Sequence, residues 1–352
     1  MAPVAIDSPA APPKAPPKVV GPATKKATRP STQIPQSMID EARKVTKESF
    51  DPSKHLDYNY KYPKRIYTME EIGLENQGIS PNAASEPFPL FTENAIRQIR
   101  AEVFSEESLR DCQYTSTFAK NMIRGMGPAR APFTYTAWSH PEVVARLSEV
   151  AGVDLVPHMD TDIAHVNVSF DDGSTTAIQN QNGADDDGTS AFAWHYDSFP
   201  FVCVMMLSDC TGMVGGETAL RKPNGDVIKI RGPRMGTAMM LQGRYIEHQA
   251  LKALGGRERI SMAACFRPRS PTMKDETVLA SVRGISDLEL LYTQYTGYRL
   301  ELLEERIRIM LKEERRRQVA KRPFNLPEIR NFLTEQKEFL ESMLEELLEV
   351  EN

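Results

Sequence analysis

The sequence predicts a mainly β protein with flanking helices, its core a sandwich or barrel of short antiparallel strands. Between Ile163 and Phe266 lie five β-rich runs, IAHVNVSF, AFAWHYDSFPFVCVMML, DVIKIRG, MGTAMMLQG and RISMAACF, separated by Gly, Pro, Asn and Asp. No apolar periodicity of helical length interrupts them, which disfavours a parallel α/β sheet. On both sides of this block the apolar period changes to that of helices.

In chain order, residues 1–36 read as a disordered leader. They hold nine prolines before residue 40, one acid (Asp7) and little that is large and apolar. A transit peptide is also basic, but such peptides form amphipathic helices, which these prolines would prevent. Residues 37–155 read as a helical support region. Its helices begin near Ser37, near Ala95 behind a Thr92 cap, and at HPEVVARLSEVAGV, where Pro141 opens the helix and Gly152 closes it. Residues 156–271 form the β core, with the polar stretch Asp171 to Ser190 expected as a mobile loop.

The final part, 272–352, is expected as a helical extension. Leu300, Leu303, Ile307 and Met310 recur at steps of three and four, and a second helix begins near Pro327 with Ile329, Leu333, Gln336, Leu340, Met343, Leu347 and Val350 in 4,3 spacing. A hairpin packed on the sheet is favoured over a dimer seam, because three heptads with one polar core position are marginal for an isolated coiled coil. A homodimer through these helices stays open as the alternative.

Composition narrows the function. The 352 residues are 40% hydrophobic and 26% charged, which is globular, and the net charge of −5 gives no positive field for nucleic acid. No apolar stretch approaches the ~18 residues of a membrane span, and no signal-like segment opens the chain. Cys112, Cys203, Cys210 and Cys265 have neither CxxC spacing nor the density of a disulfide scaffold, so a cytoplasmic, reducing location is expected. Core packing is the expected role of these thiols.

The chemistry is concentrated in the β block. His195 and Asp197 are two residues apart in AFAWHYDSFPF, which on a strand places both side chains on one face. His248 follows 51 positions after Asp197, and a neighbouring or opposed strand could carry its imidazole to the same point. Two imidazoles and a carboxylate on one side of an ion form the facial arrangement that holds non-haem Fe(II) and leaves positions open for O2. Eleven residues beyond His248 stand Arg259 and Ser261, again on one face of a strand. That pair can seat a dicarboxylate such as 2-oxoglutarate by charge-assisted hydrogen bonds, each worth roughly 1.5–3 kcal/mol. Arg257 is the rival for this clamp, and Arg259 is preferred because only it has Ser261 two residues on.

The order HxD, later His, then RxS resembles the Fe(II)/2-oxoglutarate-dependent oxygenases, and GGET (Gly215 to Thr218) between the ligands matches that family too. The runs SEPFPLF, HPEVVARLSEVAG, WHYDSFPFVCV, LQGRYIEHQAL and FRP look like a fungal branch with secondary-metabolism members; the resemblance covers roughly residues 70–270. It implies a double-stranded β-helix, or jelly roll. It also implies iron on His195, Asp197 and His248, and 2-oxoglutarate on Arg259 and Ser261. The implied reaction consumes O2 and 2-oxoglutarate, releases succinate and CO2, and oxidises an unactivated C–H bond of a small metabolite or amino-acid derivative. Hydroxylation, desaturation and oxidative ring closure all fit.

Other readings stand beside this one. His158 and Asp160, with His165 close behind, repeat the HxD spacing, but a polar turn after Pro157 explains them without a metal. Arg124 could meet an acidic substrate group at the pocket mouth, although loop arginines are more often solvated or paired locally. The same His/Asp/His set could hold Zn(II) for hydrolysis, against which no accompanying base stands at fixed spacing and the RxS clamp has no use. A jelly-roll interaction protein without activity is the third reading.

Overall fold

The computed structural model describes residues 15–21, 30, 33–116, 119, 121–170, 190–209, 211–212, 214–230, 234–251, 253–254 and 258–349. From the N-terminus come helices α1 (Gln36–Lys44) and α2 (Pro52–His55), then strands β1 (Ile66–Thr68), β2 (Asn82–Ser85) and β3 (Phe88–Pro89). Helices α3 (Glu93–Val103) and α4 (Glu106–Asp111) precede strands β4 (Gln113–Tyr114) and β5 (Met122–Ile123). Helices α5 (Gly127–Arg130), α6 (Pro132–Ser139) and α7 (Pro141–Ala151) lead to β6 (Leu155–Pro157). The region expected as helical support thus also supplies five strands of two to four residues and the first residue of β6, all too short to declare a period in the sequence.

The β block contains β7 (His165–Phe170), β8 (Ser190–His195), β9 (Phe201–Met206), β10 (Val214–Gly215) and β11 (Thr218–Arg221). It continues with β12 (Val227–Ile230), β13 (Thr237–Leu241), β14 (His248–Leu251), β15 (Ala253–Leu254) and β16 (Glu258–Pro268). The main path of the large sheet runs β1-β2-β13-β9-β16-β7-β5-β4, and a four-stranded sheet runs β12-β11-β14-β8. Every strand pairing among the described residues is antiparallel. Leaving aside the short β10–β15 pair, strands β7, β9, β13 and β16 belong to the large sheet and β8, β11, β12 and β14 to the small one, so the chain repeatedly crosses between them.

Strand alternation decides which side chains face which layer. On the outer face of the large sheet, Cys203, Met205, Met240, Ile260, Met262 and Phe266 join a core with Ile96, Ile99, Trp138, Val143 and Leu147 of α3, α6 and α7. Burying one such side chain contributes roughly 1.5–3 kcal/mol. Glu102 at the end of α3 orients α6 by accepting from the backbone N–H groups of Phe133 (2.8 Å) and Thr134 (2.9 Å), two donors that a helix N-terminus would otherwise leave bare. On the inner face, Met239 and Leu241 of β13 pack with Leu220 of β11 and Ile230 of β12, which joins the two sheets.

The inner positions of β16 are Arg259, Ser261, Ala263 and Cys265. Opposite them on β7 stand Ser169 beside Arg259, Asn167 beside Ser261 and His165 beside Ala263. Successive inner positions are about 6.7 Å apart along the strand. Cys203 and Cys265 are buried thiols whose pKa burial pushes well up, in keeping with core packing; Cys210 lies outside the described residues.

Helices α8 (Leu288–Val319) and α9 (Leu326–Glu346) form the hairpin expected at the C-terminus. The buried stripe differs from the expected one. Leu291, Tyr295, Tyr298, Arg299 and Leu302 of α8 and Gln336, Phe339 and Met343 of α9 are buried, whereas Leu300, Ile307, Leu333 and Leu340 are exposed. The aromatic and cationic side chains displace the leucines because Arg299 and Arg306 lie over the Phe339 ring, at 3.8 and 4.2 Å. Arg299 also donates to the Phe339 carbonyl and to Ser342, at 3.2 and 2.7 Å. The hairpin core reaches Val202 and Cys265 on the inner face of the large sheet.

Within the expected leader, residues 15–21 lie against the body: Val19 is buried and the Pro17 carbonyl accepts from Arg244 Nη1 at 2.5 Å. The polar stretch 171–189 lies outside the described residues. Among the described residues no helix is long and apolar enough to cross a membrane.

Candidate metal centre

His195 ends β8, and His248 opens β14 directly opposite it in the antiparallel register. Cross-strand neighbours on one face approach closely, and the two imidazole centroids are 4.3 Å apart. Asp197 does not belong to β8 as the HxD spacing implied; it lies two residues past the end of the strand. Its backbone N–H donates to the Gly243 carbonyl at 2.9 Å, and this bond turns the carboxylate back onto the imidazoles. One oxygen, Oδ1, is 3.4 Å from His195 Nε2, and the other, Oδ2, is 3.4 Å from His248 Nε2.

The ligand atoms of the three residues lie within 4.8 Å of one another, the single group of three or more His, Cys, Asp or Glu of this kind among the described residues. Their protonation suits a cation. His248 Nδ1 faces the Ile246 carbonyl at 2.9 Å, so that nitrogen carries the proton and Nε2 keeps its lone pair. Burial pushes the His248 imidazole down to about 4, against the pull of the Asp197 charge. Burial would raise the Asp197 carboxyl, but the adjacent His248 and His195 hold it below the usual carboxylate range. A neutral imidazole and an ionised carboxylate are the forms that bind a metal.

Neighbouring groups brace the set. Gly215 and Gly216 of the GGET turn adopt positive φ (86° and 78°), a region open to glycine, and lead into β11. There Leu220 pairs with His248, so the turn helps to set the register of the metal strand. Arg221 lies 4.0 Å over the Trp194 ring and 3.1 Å from Glu247, which ties together the residues beside His195 and His248.

The other expected site residues fall in different places. Arg259 and Ser261 occupy inner positions of β16, and Ser261 is buried. Cys265 lies further along the same face of β16. The rival Arg257 lies outside the described residues. Arg124 is not at a pocket mouth: its side chain is 1% exposed, and it donates to Asp162 Oδ1 at 2.7 Å, because a buried guanidinium requires a partner. Its Nη1 stands 3.3 Å from His165 Nδ1.

The second HxD is not assembled. His158 Nε2 meets Thr277 Oγ1 at 2.9 Å, while His165 turns to Arg124. Sequence reasoning missed one contributor, Gly243, for which a glycine ending a strand run is a signal of close backbone approach.

No protein-family model matches the sequence, and no curated protein matches it significantly. Solved structures similar to parts of the chain include a 2OG-Fe(II) oxygenase family oxidoreductase from Burkholderia pseudomallei, at 12% identity over 39% of this chain and 55% of that one, with a TM-score of 0.29. The non-heme alpha ketoglutarate dependent epimerase SnoN from nogalamycin biosynthesis matches at 14% identity over 44% of this chain and 63% of its own, TM-score 0.30. A prolyl-4-hydroxylase from Pseudomonas putida matches at 16% identity over 51% of this chain and 88% of its own, TM-score 0.29. The chain thus spans less than two thirds of the length of the first two.

Proposed function

We propose that this chain is a non-haem Fe(II)- and 2-oxoglutarate-dependent oxygenase built on a double-stranded β-helix core. The observation that carries the reading is the grouping of His195, Asp197 and His248; Arg259 and Ser261, two residues apart on one face of β16, support it. The alternation of strands between two antiparallel sheets supports the jelly-roll part of the proposal.

The donor set fits a ferrous ion: imidazole nitrogens from His195 and His248 and the ionised carboxylate of Asp197. His195, Asp197 and His248 would hold the metal, and Arg259 with Ser261 would hold the distal carboxylate of 2-oxoglutarate. With O2, that pair supplies the oxidation of an unactivated C–H bond, with release of succinate and CO2. The protein's own part is to present the ligands, to keep Asp197 ionised, and to anchor the dicarboxylate by a guanidinium that cannot lose its charge. Val202, Val204 and Ala263 occupy neighbouring positions of β9 and β16 and pack with the core of the C-terminal hairpin. The substrate belongs to the class of small metabolites or amino-acid derivatives, and the runs SEPFPLF and HPEVVARLSEVAG support placing the chain beside fungal secondary-metabolism enzymes.

Anaerobic addition of Fe(II) and then 2-oxoglutarate tests the reading, with a visible charge-transfer band expected from the metal-bound keto acid. Absence of the band, together with tight Zn(II) binding and hydrolytic turnover, would replace it with a zinc hydrolase. An inert protein that binds neither metal nor keto acid would leave only an interaction role.

A further inference from the structure

The C-terminal hairpin divides into a root and an arm. Every buried residue of α8 lies before position 303, and every buried residue of α9 lies after position 335. Among the described residues, none from 303 to 335 is buried. Yet the arm is apolar: Ile307, Ile309, Leu311, Phe324, Leu326 and Leu333 are all exposed. Single exposed leucines are ordinary, but a group of them on one two-helix arm without a core marks an interaction surface. Helices in proteins draw most of their stability from burying such a face.

The exposed apolar side chains form rows that continue onto the root. Leu300, Ile307 and Leu311 each stand nine residues beyond a buried one, Leu291, Tyr298 and Leu302 in turn. Nine residues are about two and a half helical turns, so this row occupies the face of α8 opposite the one that the body covers. On α9, Leu333, Leu340 and Leu344 are exposed at steps of seven and four, which is again one face. Charge is divided along the hairpin. The tip, residues 308–337, holds nine Lys and Arg against four acidic residues, whereas the root, 288–307 with 338–349, holds two against nine. Helix macrodipoles favour such charges only in the first and last turns, and Glu301, Glu304, Arg308 and Lys312 are all interior to α8.

We propose that a second copy of this chain covers the arm, the two hairpins lying side by side and antiparallel about a two-fold axis as a four-helix bundle. One arm has too few helices to enclose a core, and two supply the four that a bundle uses. Charge decides the direction. A parallel alignment would set basic tip on basic tip and acidic root on acidic root, whereas the antiparallel one sets each tip on the other copy's root. Lys312 and Arg315 of each copy then face the acidic surface that carries Glu301 and Glu345 of the other. The same alignment brings Leu311 and Leu333 of each arm to the row of Leu300, Leu340 and Leu344. The metal ligands and Arg259 lie outside the hairpin, so the dimer does not depend on the oxygenase reading.

Sedimentation equilibrium of the full-length chain across the micromolar range is expected to give twice the chain mass. Leu311→Glu combined with Leu333→Glu should reduce it to the chain mass, with circular dichroism and Mn(II) affinity unchanged to show that the body stays folded. A charge cycle tests the direction. Lys312→Glu with Arg315→Glu, or Glu301→Lys with Glu345→Lys, should each weaken the dimer by about tenfold or more at low salt, and all four together should restore most of the affinity. Positions 301 and 312 are about 16 Å apart along one helix, so that rescue cannot arise within a chain. A wild type that stays monomeric, a dimer unmoved by the leucine substitutions, or charge reversals that fail to rescue each other overturns the proposal. A monomer that sediments instead with phosphatidylglycerol vesicles overturns it in favour of a lipid surface.

Discussion

Gly243 and Asp197 are in such close contact that a Cβ on the glycine would sit 1.8 Å from the carboxylate oxygen Oδ2. The same glycine's carbonyl holds the Asp197 N–H, so one backbone unit both pins the residue and leaves room for its side chain. No side chain other than hydrogen fits without moving the ligand.

Gly243→Ala is therefore expected to weaken Fe(II) or Mn(II) binding by more than about tenfold, since a ligand displaced by even an ångström loses much of its value. Metal titration of the purified variant checks this, with circular dichroism to show that the sheets persist. Wild-type affinity in a folded variant would contradict the contact.

Arg259→Ala should raise the 2-oxoglutarate concentration needed for half-saturation by about tenfold or more, the loss of one or two charge-assisted hydrogen bonds, and leave metal affinity nearly intact. Succinate release against 2-oxoglutarate concentration gives the answer. An unchanged requirement would move the clamp to Arg257.

The metal-free protein should lose stability as the pH falls from about 6.5 towards 4. Burial pushes His248 down to about 4 and His158 and His165 each down to about 3, from an ordinary value of 6.5. In that window the unfolded chain binds protons on these imidazoles and the folded one does not, so acid favours unfolding by up to about 1.4 kcal/mol per pH unit for each histidine. Asp197, held low, keeps its contribution until the pH drops through its own depressed value. Urea midpoints measured with a chelator between pH 4.5 and 7.5 would show the slope; a flat profile would contradict burial of neutral imidazoles.

Phe339→Ala should loosen the C-terminal hairpin. The ring is 7% exposed and lies under two guanidinium groups, so its loss removes apolar burial and leaves Arg299 without its platform. A cost of about 3–5 kcal/mol is typical for such a truncation. Hydrogen exchange should rise first in α8 and α9, and uniform exchange across the chain would argue against a separable hairpin.

Much of this architecture was legible in residue order, because alternation and spacing are local properties. The β block, the Thr92 and Pro141 helix starts, the C-terminal hairpin and the set His195, Asp197 and His248 all follow from periods of two, three and four residues together with chemical type. The short strands β1 to β6 were not legible, since segments of two to four residues carry no period. Nor was the buried stripe of α8, where Arg299 and Tyr295 replace the leucines that periodicity favours.

The sequence by itself determined which residue types were available for a metal and in what order. Only tertiary structure decided that His248 pairs with His195 across two strands, that Asp197 reaches them from beyond a strand end, and that Arg124 serves His165 instead of solvent. These are contacts between positions tens of residues apart. They are chosen by sheet register and by the cost of leaving buried charge unpaired, neither of which is written in local spacing.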